Sequence, residues 1–231
     1  MRIDKFLCEM NIGTRSQVKA YLKQGLVTVN GILVKDSDTK LDENRDIVTY
    51  RGEELHYQQY HYYMLNKPQG VVTATKDNVS KTVMELLPLE IRKKLFPVGR
   101  LDKDTEGLLL LTDDGALSHR LLSPTNHVDK TYLVTIAKPL TFEACKSLEE
   151  GVDIGEAHPT RPAIVEILNE SQILLTIQEG RFHQVKRMLK AVDNEVTALK
   201  RISFGGLKLD ESLMPGESRE LSDLEVKLLR G

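Results

Sequence analysis

Residues 99–107 read Gly99-Arg100-Leu101-Asp102-Lys103-Asp104-Thr105-Glu106-Gly107 and run straight into Leu108-Leu109-Leu110-Leu111. A carboxylate, Asp102, therefore sits in a polar turn anchored by an apolar run that a buried strand would hold still. An acid fixed by a loop on a stiff scaffold is suited to act as a nucleophile or base. The same turn offers other chemistry. Asp102, Asp104, Glu106, Gly107 and Asp113 fall on ligand and glycine positions of a calcium-binding loop. Against that, the last position ordinarily carries Glu, Leu110 supplies no ligand, and the second half is apolar. A pair of carboxylates, with Asp104 or Glu106 as the second acid, would suit hydrolysis of a glycosidic bond. A plain charged hairpin is the default for an isolated acidic turn.

A second group of chemistry-bearing residues is basic. Arg181, Lys186, Arg187 and Lys190 lie within residues 181–190, which hold no acid and include His183 and Gln184. His183 has no second histidine at a metal-binding offset. Near the start, Arg15, Lys19 and Lys23 recur every four residues and so line one side of a helix, a spacing that a merely solvated face also shows. Residues 1–35 carry Arg2, Lys5, Arg15, Lys19, Lys23 and Lys35 against Asp4 and Glu9, and residues 36–56 reverse that balance. The formal net charge of −2 thus leaves room for a basic face. Cys8 and Cys145 lie far apart without metal-ligand spacing and read as small core residues. No metal site is expected.

With 231 residues, 40% of them hydrophobic, the chain can build one large domain or a small one plus a medium one. No apolar run approaches the ~18 residues of a membrane span. Residues 1–5 do not open a secretory signal, so the expectation is a cytoplasmic protein without membrane association. Ile3, Phe6, Leu7 and Met10 have helical spacing over 2–10, ended by Gly13. Thr14 is a candidate N-cap for a second helix with Val18, Tyr21 and Leu22 on one face. Gly25 closes it, and strands at 26–29 and 32–34 flank the hairpin signal Asn30-Gly31. The polar segment 51–59 contains the expected linker, dividing the chain into 1–56, a connection at 57–60, and 61–231. Beyond it, strands are expected at 60–65, 107–112, 131–136, 163–168, 173–178 and 195–202, and helices at 116–122, 142–150, 181–191 and 222–229. Strands and helices without regular alternation predict an α+β fold with a mixed, mainly antiparallel sheet.

Arg2-Ile3-Asp4-Lys5, Arg15-Ser16 and Gly25-Leu26-Val27-Thr28-Val29-Asn30-Gly31, in that order over about 50 residues, resemble the S4 RNA-binding domain. This implies a small α-L module whose Arg2, Lys5, Arg15, Lys19 and Lys23 meet RNA phosphates. The larger part resembles pseudouridine synthases. Gly99-Arg100-Leu101-Asp102 with Thr105 and Gly107 is similar to their catalytic signature, and Asn66-Lys67-Pro68-Gln69-Gly70 to their first motif. Lys130-Thr131-Tyr132 resembles the segment bearing their active-site tyrosine, and residues 179–188 resemble their last motif.

The resemblance implies that a uridine is converted to its C-glycoside with no redox change and no net water, hence without a cofactor. Asp102 is the expected carboxylate and Lys186 its cationic partner, with Arg100 and Arg181 as competitors. The wider superfamily usually has Arg where this chain has Lys186, and lysine cannot make the same two-point contact. Extruding the base costs a few kcal/mol, which Tyr132 offsets by stacking. Arg100 either fills the vacated place or contacts a phosphate, and Arg181, His183, Gln184 and Arg187 are further expected RNA contacts. The S4 fusion, Thr112-Asp113-Asp114-Gly115 and Phe182-His183-Gln184 look most like the RsuA-like enzymes of 16S rRNA, in place of the large-subunit group. The expected partner is ribosomal RNA in a small-subunit assembly intermediate, met by a monomer. A non-catalytic ribosome-associated RNA-binding protein is the competing class.

Overall fold

The computed structural model describes every residue except 11, 44, 56, 58 and 231. The chain divides into two compact units, Met1–Gln59 and Tyr60–Gly231. Gln58, inside the connection expected at 57–60, lies outside the described residues.

In the first unit, helix α1 (Ile3–Glu9) and helix α2 (Arg15–Lys23) pack on strands β1 (Val27–Val29), β2 (Ile32–Leu33), β3 (Val48–Tyr50) and β4 (Glu53–Leu55). The strand order is β2-β1-β3-β4, antiparallel throughout. Thr14 caps α2 in a capping box with Gln17, satisfying amides that would otherwise lack partners. Asn30 and Gly31 both take positive φ, 51° and 80°, the conformation that matches a two-residue turn to the strand twist. Ile3, Phe6, Leu7, Val18, Leu22, Val27, Leu41 and Val48 close the core. The polar stretch 51–59 does not begin as a linker: Arg51 and Gly52 turn a second hairpin and β4 is its outer strand. Its short polar sequence hides this because both faces of β4 are largely solvated.

The second unit runs β5 (Tyr62–Lys67), α3 (Leu89–Arg92), β6 (Phe96–Pro97), β7 (Glu106–Thr112), α4 (Gly115–Leu122), β8 (Lys130–Ile136), α5 (Phe142–Glu150), β9 (Ile164–Asn169), β10 (Gln172–Ile177), α6 (Gln184–Ala191), β11 (Val196–Phe204), β12 (Leu207–Lys208), β13 (Ser218–Glu220) and α7 (Asp223–Arg230). One sheet has the order β13-β5-β7-β11-β8-β10-β9, with β6 on β7 and β12 on β11. Among the described strands its pairs are antiparallel except β7 with β11. The chain is therefore α+β with a mixed, mainly antiparallel sheet.

Strand β7 shows why four leucines run together. Successive side chains point to opposite faces. Leu109 and Leu111 enter a core with Tyr132, Val134, Val185 and Met188, whereas Leu108 and Leu110 enter another with Tyr62, Met64, Phe204 and Leu229. The sheet is covered on both sides, so the run Leu108–Leu111 of this inner strand is apolar at every position. A Cβ on Gly107 would lie 2.2 Å from the Arg201 carbonyl oxygen, so the parallel β7–β11 contact requires glycine there. These residues form a strand in the middle of a sheet, an arrangement in which positions 102–113 cannot wrap one calcium ion.

Candidate active site

The loop before β7 is held by its backbone. Lys67, at the end of β5 and fully buried, donates from Nζ to the carbonyls of Pro68 (3.1 Å), Asp102 (2.9 Å), Lys103 (3.4 Å) and Thr105 (2.8 Å). Burial pulls its ammonium down to about 8 against the pull of the Asp104, Asp102 and Glu106 charges. Gly70 N–H donates to Lys103 O at 2.8 Å, and the Thr73 hydroxyl donates to Leu101 O at 2.7 Å. Lys67 at the end of β5, with Gly70 and Thr73 just after it, thus fixes residues 101–105 in space.

The Asp102 carboxylate, 29% exposed, faces α6. Its Oδ2 lies 3.3 Å from Lys186 Nζ and its Oδ1 lies 3.6 Å from His183 Nε2. Lys186 makes a shorter contact to Asp104 Oδ1, 2.6 Å. Partial burial lowers the Lys186 ammonium, but the Asp104 hydrogen bond and the Asp102 charge outweigh it and hold it above the ordinary lysine range. The same hydrogen bond holds the Asp104 carboxyl below its ordinary value. Asp102, Tyr132, His183 and Lys186 share a narrow recess with Thr105 and Gln184. It opens on a wider cavity of about 890 Å³, inside the ~300–1,000 Å³ typical of small-ligand sites. Tyr132, on β8 and 8% exposed, forms part of the wall.

The expected helix over 181–191 starts instead at Gln184, because His183 takes a left-handed backbone (φ 49°, ψ 34°). That turn directs Arg181 toward the protein. Its guanidinium bonds Glu179 Oε2 (3.1 Å) and the carbonyls of His158 (2.7 Å) and Pro159 (2.8 Å), so among the described residues its partners do not include Asp102. Gln184 donates to Glu179 Oε1 at 2.6 Å and accepts from Arg181 N at 2.9 Å. Arg187 pairs with Glu156 and with the carbonyls of Ile154 and Phe182. Arg181 and Arg187 thus brace residues 154–159 against the start of α6, and Gln184 ties Glu179 to the same turn. Arg100 is exposed, lines the cavity, and makes no ion pair among the described residues.

Further cations lie at the site, of which the sequence singles out Lys130 alone, within Lys130-Thr131-Tyr132. Lys130 and Arg161 line the cavity, and Arg201, 2% exposed, donates from Nε to Leu108 O at 2.8 Å while one terminal nitrogen has no partner. Burial, then the Arg201 charge, pushes Lys130 down to about 8. Lys67 stood in a recognised turn, yet nothing local announced its reach to three carbonyls more than 30 residues away.

In the first unit, Arg15, Lys19 and Lys23 are exposed and without ion pairs among the described residues. Arg2 is held by Asp4, at 3.0 and 2.8 Å, and by Asp38; Lys5 lies 3.6 Å from Glu9.

Comparison with known proteins agrees with this arrangement. The family described as RNA pseudouridylate synthase matches residues 61–191, and the S4 domain matches residues 1–47. A Bacillus subtilis protein named uncharacterized RNA pseudouridine synthase YtzG is 50% identical, covering 99% of this chain and 98% of its own. Ribosomal small subunit pseudouridine synthase A of Haemophilus influenzae is 44% identical, covering 99% of both chains, and that of Escherichia coli K12 is 43% identical, covering 98% of both. A crystal structure of a pseudouridylate synthase superposes with a TM-score of 0.72 at 43% identity, covering 99% of each chain. A full-length match of this kind, carried by the same two domains in the same order, places the chain in the RNA pseudouridine synthase family, in its S4-bearing, RsuA-like group.

Proposed function

We propose that this protein isomerises a uridine of 16S ribosomal RNA to pseudouridine without a cofactor. The observation that carries this reading is the Asp102 carboxylate, held by its own backbone 3.3 Å from Lys186 in a recess walled by Tyr132. The reaction breaks N1–C1′, turns the base, joins C5 to C1′ and releases the C5 proton. It needs an ionised carboxylate as nucleophile or base. Asp102 fills that role, and the Lys186 ammonium beside it favours the charged form. Tyr132 stacks on the extruded uracil, an interaction of about 1–3 kcal/mol. Arg100, at the open wall, contacts the phosphate backbone.

The names of the relatives that act on the small ribosomal subunit favour 16S rRNA. The exposed cations Arg15, Lys19 and Lys23 of the S4 domain supply affinity through phosphates with little sequence information. The substrate is rRNA in an assembling small subunit, met by a cytoplasmic monomer; among the described residues no helix is long and apolar enough to cross a membrane. Mapping pseudouridine in rRNA from cells with and without this protein tests the reading. One site in 16S rRNA should disappear with the protein, and loss confined to 23S rRNA would reassign the substrate.

A further inference from the structure

Phe182 is 74% exposed although it sits on the wall of the catalytic cavity. Exposing a large apolar ring to water is unfavourable. The backbone nevertheless places the ring against a neighbour. His183 occupies the left-handed region, which is uncommon for residues other than glycine. That turn lays the two successive rings face to face, centroids 3.8 Å apart and 18° from parallel. Arg187 then fixes the Phe182 carbonyl at 3.1 Å.

The rings form an ordered series leading away from the chemistry. His183 Nε2 lies 3.6 Å from Asp102, and Phe182 covers the imidazole face in the next layer. Phe182 lines the wide part of the cavity but not the recess shared by Asp102, Tyr132 and Lys186. A flat group on its outer face therefore lies one layer beyond any base held at Asp102. The same wide cavity carries Arg100, Lys103 and Arg161, cations placed for a phosphate backbone. Aromatic faces take nucleobases irrespective of sequence, and single-stranded RNA is recognised largely in this way.

We propose that Phe182, backed by His183, is a stacking platform for the base of a nucleotide flanking the target uridine, which makes the enzyme a reader of locally unpaired RNA. The proposal rests on the assignment of the Asp102 recess to the target uridine. The test titrates full-length wild type, Phe182→Ala and Phe182→Tyr with uridine monophosphate and with the trinucleotide UpUpU. Phe182→Ala should weaken UpUpU by about 5- to 100-fold while leaving the monophosphate near its wild-type affinity, and Phe182→Tyr should restore UpUpU binding. Equal loss for both ligands, or loss for neither, overturns the platform. The same preparations are assayed on a 16S rRNA transcript. If wild type makes pseudouridine and the titrations are flat, the platform alone is wrong; if wild type makes none, the assignment of the recess fails and the platform with it.

Discussion

Lys186 lies between two carboxylates and is closer to the one expected to matter less. Its 2.6 Å bond to Asp104 keeps that carboxyl ionised, the opposite of what a glycosidase needs from a general acid, whose proton affinity must be raised. The pair at 102 and 104 is therefore unsuited to acid-assisted hydrolysis, and Lys186 serves both carboxylates at once. Replacing it with Met should lower kcat by about 100-fold or more, and Lys186→Arg should keep much more activity, since a charge-assisted bond to a carboxylate survives. In the same Lys186→Met protein the Asp104 carboxyl should titrate higher, because the partner that holds it down is gone. Carbon-detected NMR titration reads this directly. An Asp104 that titrates as before would mean that the ion pair is absent in solution.

The elements explain how a single carboxylate is held without being buried. Lys67 on β5 grips the loop through three carbonyls, those of Asp102, Lys103 and Thr105, so Lys67→Met should leave those acceptors short of a donor, at a cost of about 1–3 kcal/mol in stability, partly offset by removing a buried ammonium. Its effect on kcat should be larger than that stability loss accounts for, because the loop carrying Asp102 loses its position; matched kcat and thermal-melt measurements check this. Strand β5 is in turn bordered by β13, where Arg219 bonds Asp210 at 2.6 Å and Glu225 at 2.8 and 2.9 Å. Both carboxyls are held at about 2: Asp210 by its bonds to Ser212 and then Arg219, Glu225 first by Arg219. With folded values below the unfolded ones, this stabilisation is complete above about pH 4.5 and is lost as pH falls toward 2. Arg219→Met should lower Tm at neutral pH and flatten its decline between pH 4.5 and 2.5, whereas an unchanged acid limb would mean the brace contributes nothing. What the sequence disclosed follows from the range of the forces involved. The Thr14 cap, the Asn30-Gly31 turn and the apolar β7 run are local and were legible. The parallel docking of Gly107 on Arg201, the reach of Lys67 and the outer strand β4 depend on partners distant in the chain or on solvated faces without a period. The delayed start of α6 is hidden because residues 181–183 contain no Gly or Pro to mark a break, and only the left-handed His183 makes one.

Taken whole, the chain couples an S4 unit, whose cations and acids balance but whose second helix carries Arg15, Lys19 and Lys23, to a catalytic unit, and the two contributions should separate experimentally. Changing Arg15, Lys19 and Lys23 together to Gln should weaken binding to rRNA and reduce the slope of log K against log salt by as much as about 2–3, close to one for each phosphate no longer neutralised. The rate at saturating RNA should change little, since none of the three belongs to the catalytic unit. An unchanged salt slope would show that these cations are solvated and do not meet RNA. The Asp102 carboxylate carries the central claim, and the decisive measurement is tritium release from 16S rRNA labelled at uridine C5, compared between wild type and Asp102→Asn. The amide keeps the shape of the side chain but is neither ionised nor nucleophilic. Wild type should release one equivalent of tritium per RNA with the base retained as pseudouridine, and Asp102→Asn should release none while still binding the RNA. Turnover by Asp102→Asn would mean that Asp102 is not the reacting carboxylate, and free uracil from the wild-type reaction would mean that the bond is hydrolysed and no isomerisation takes place.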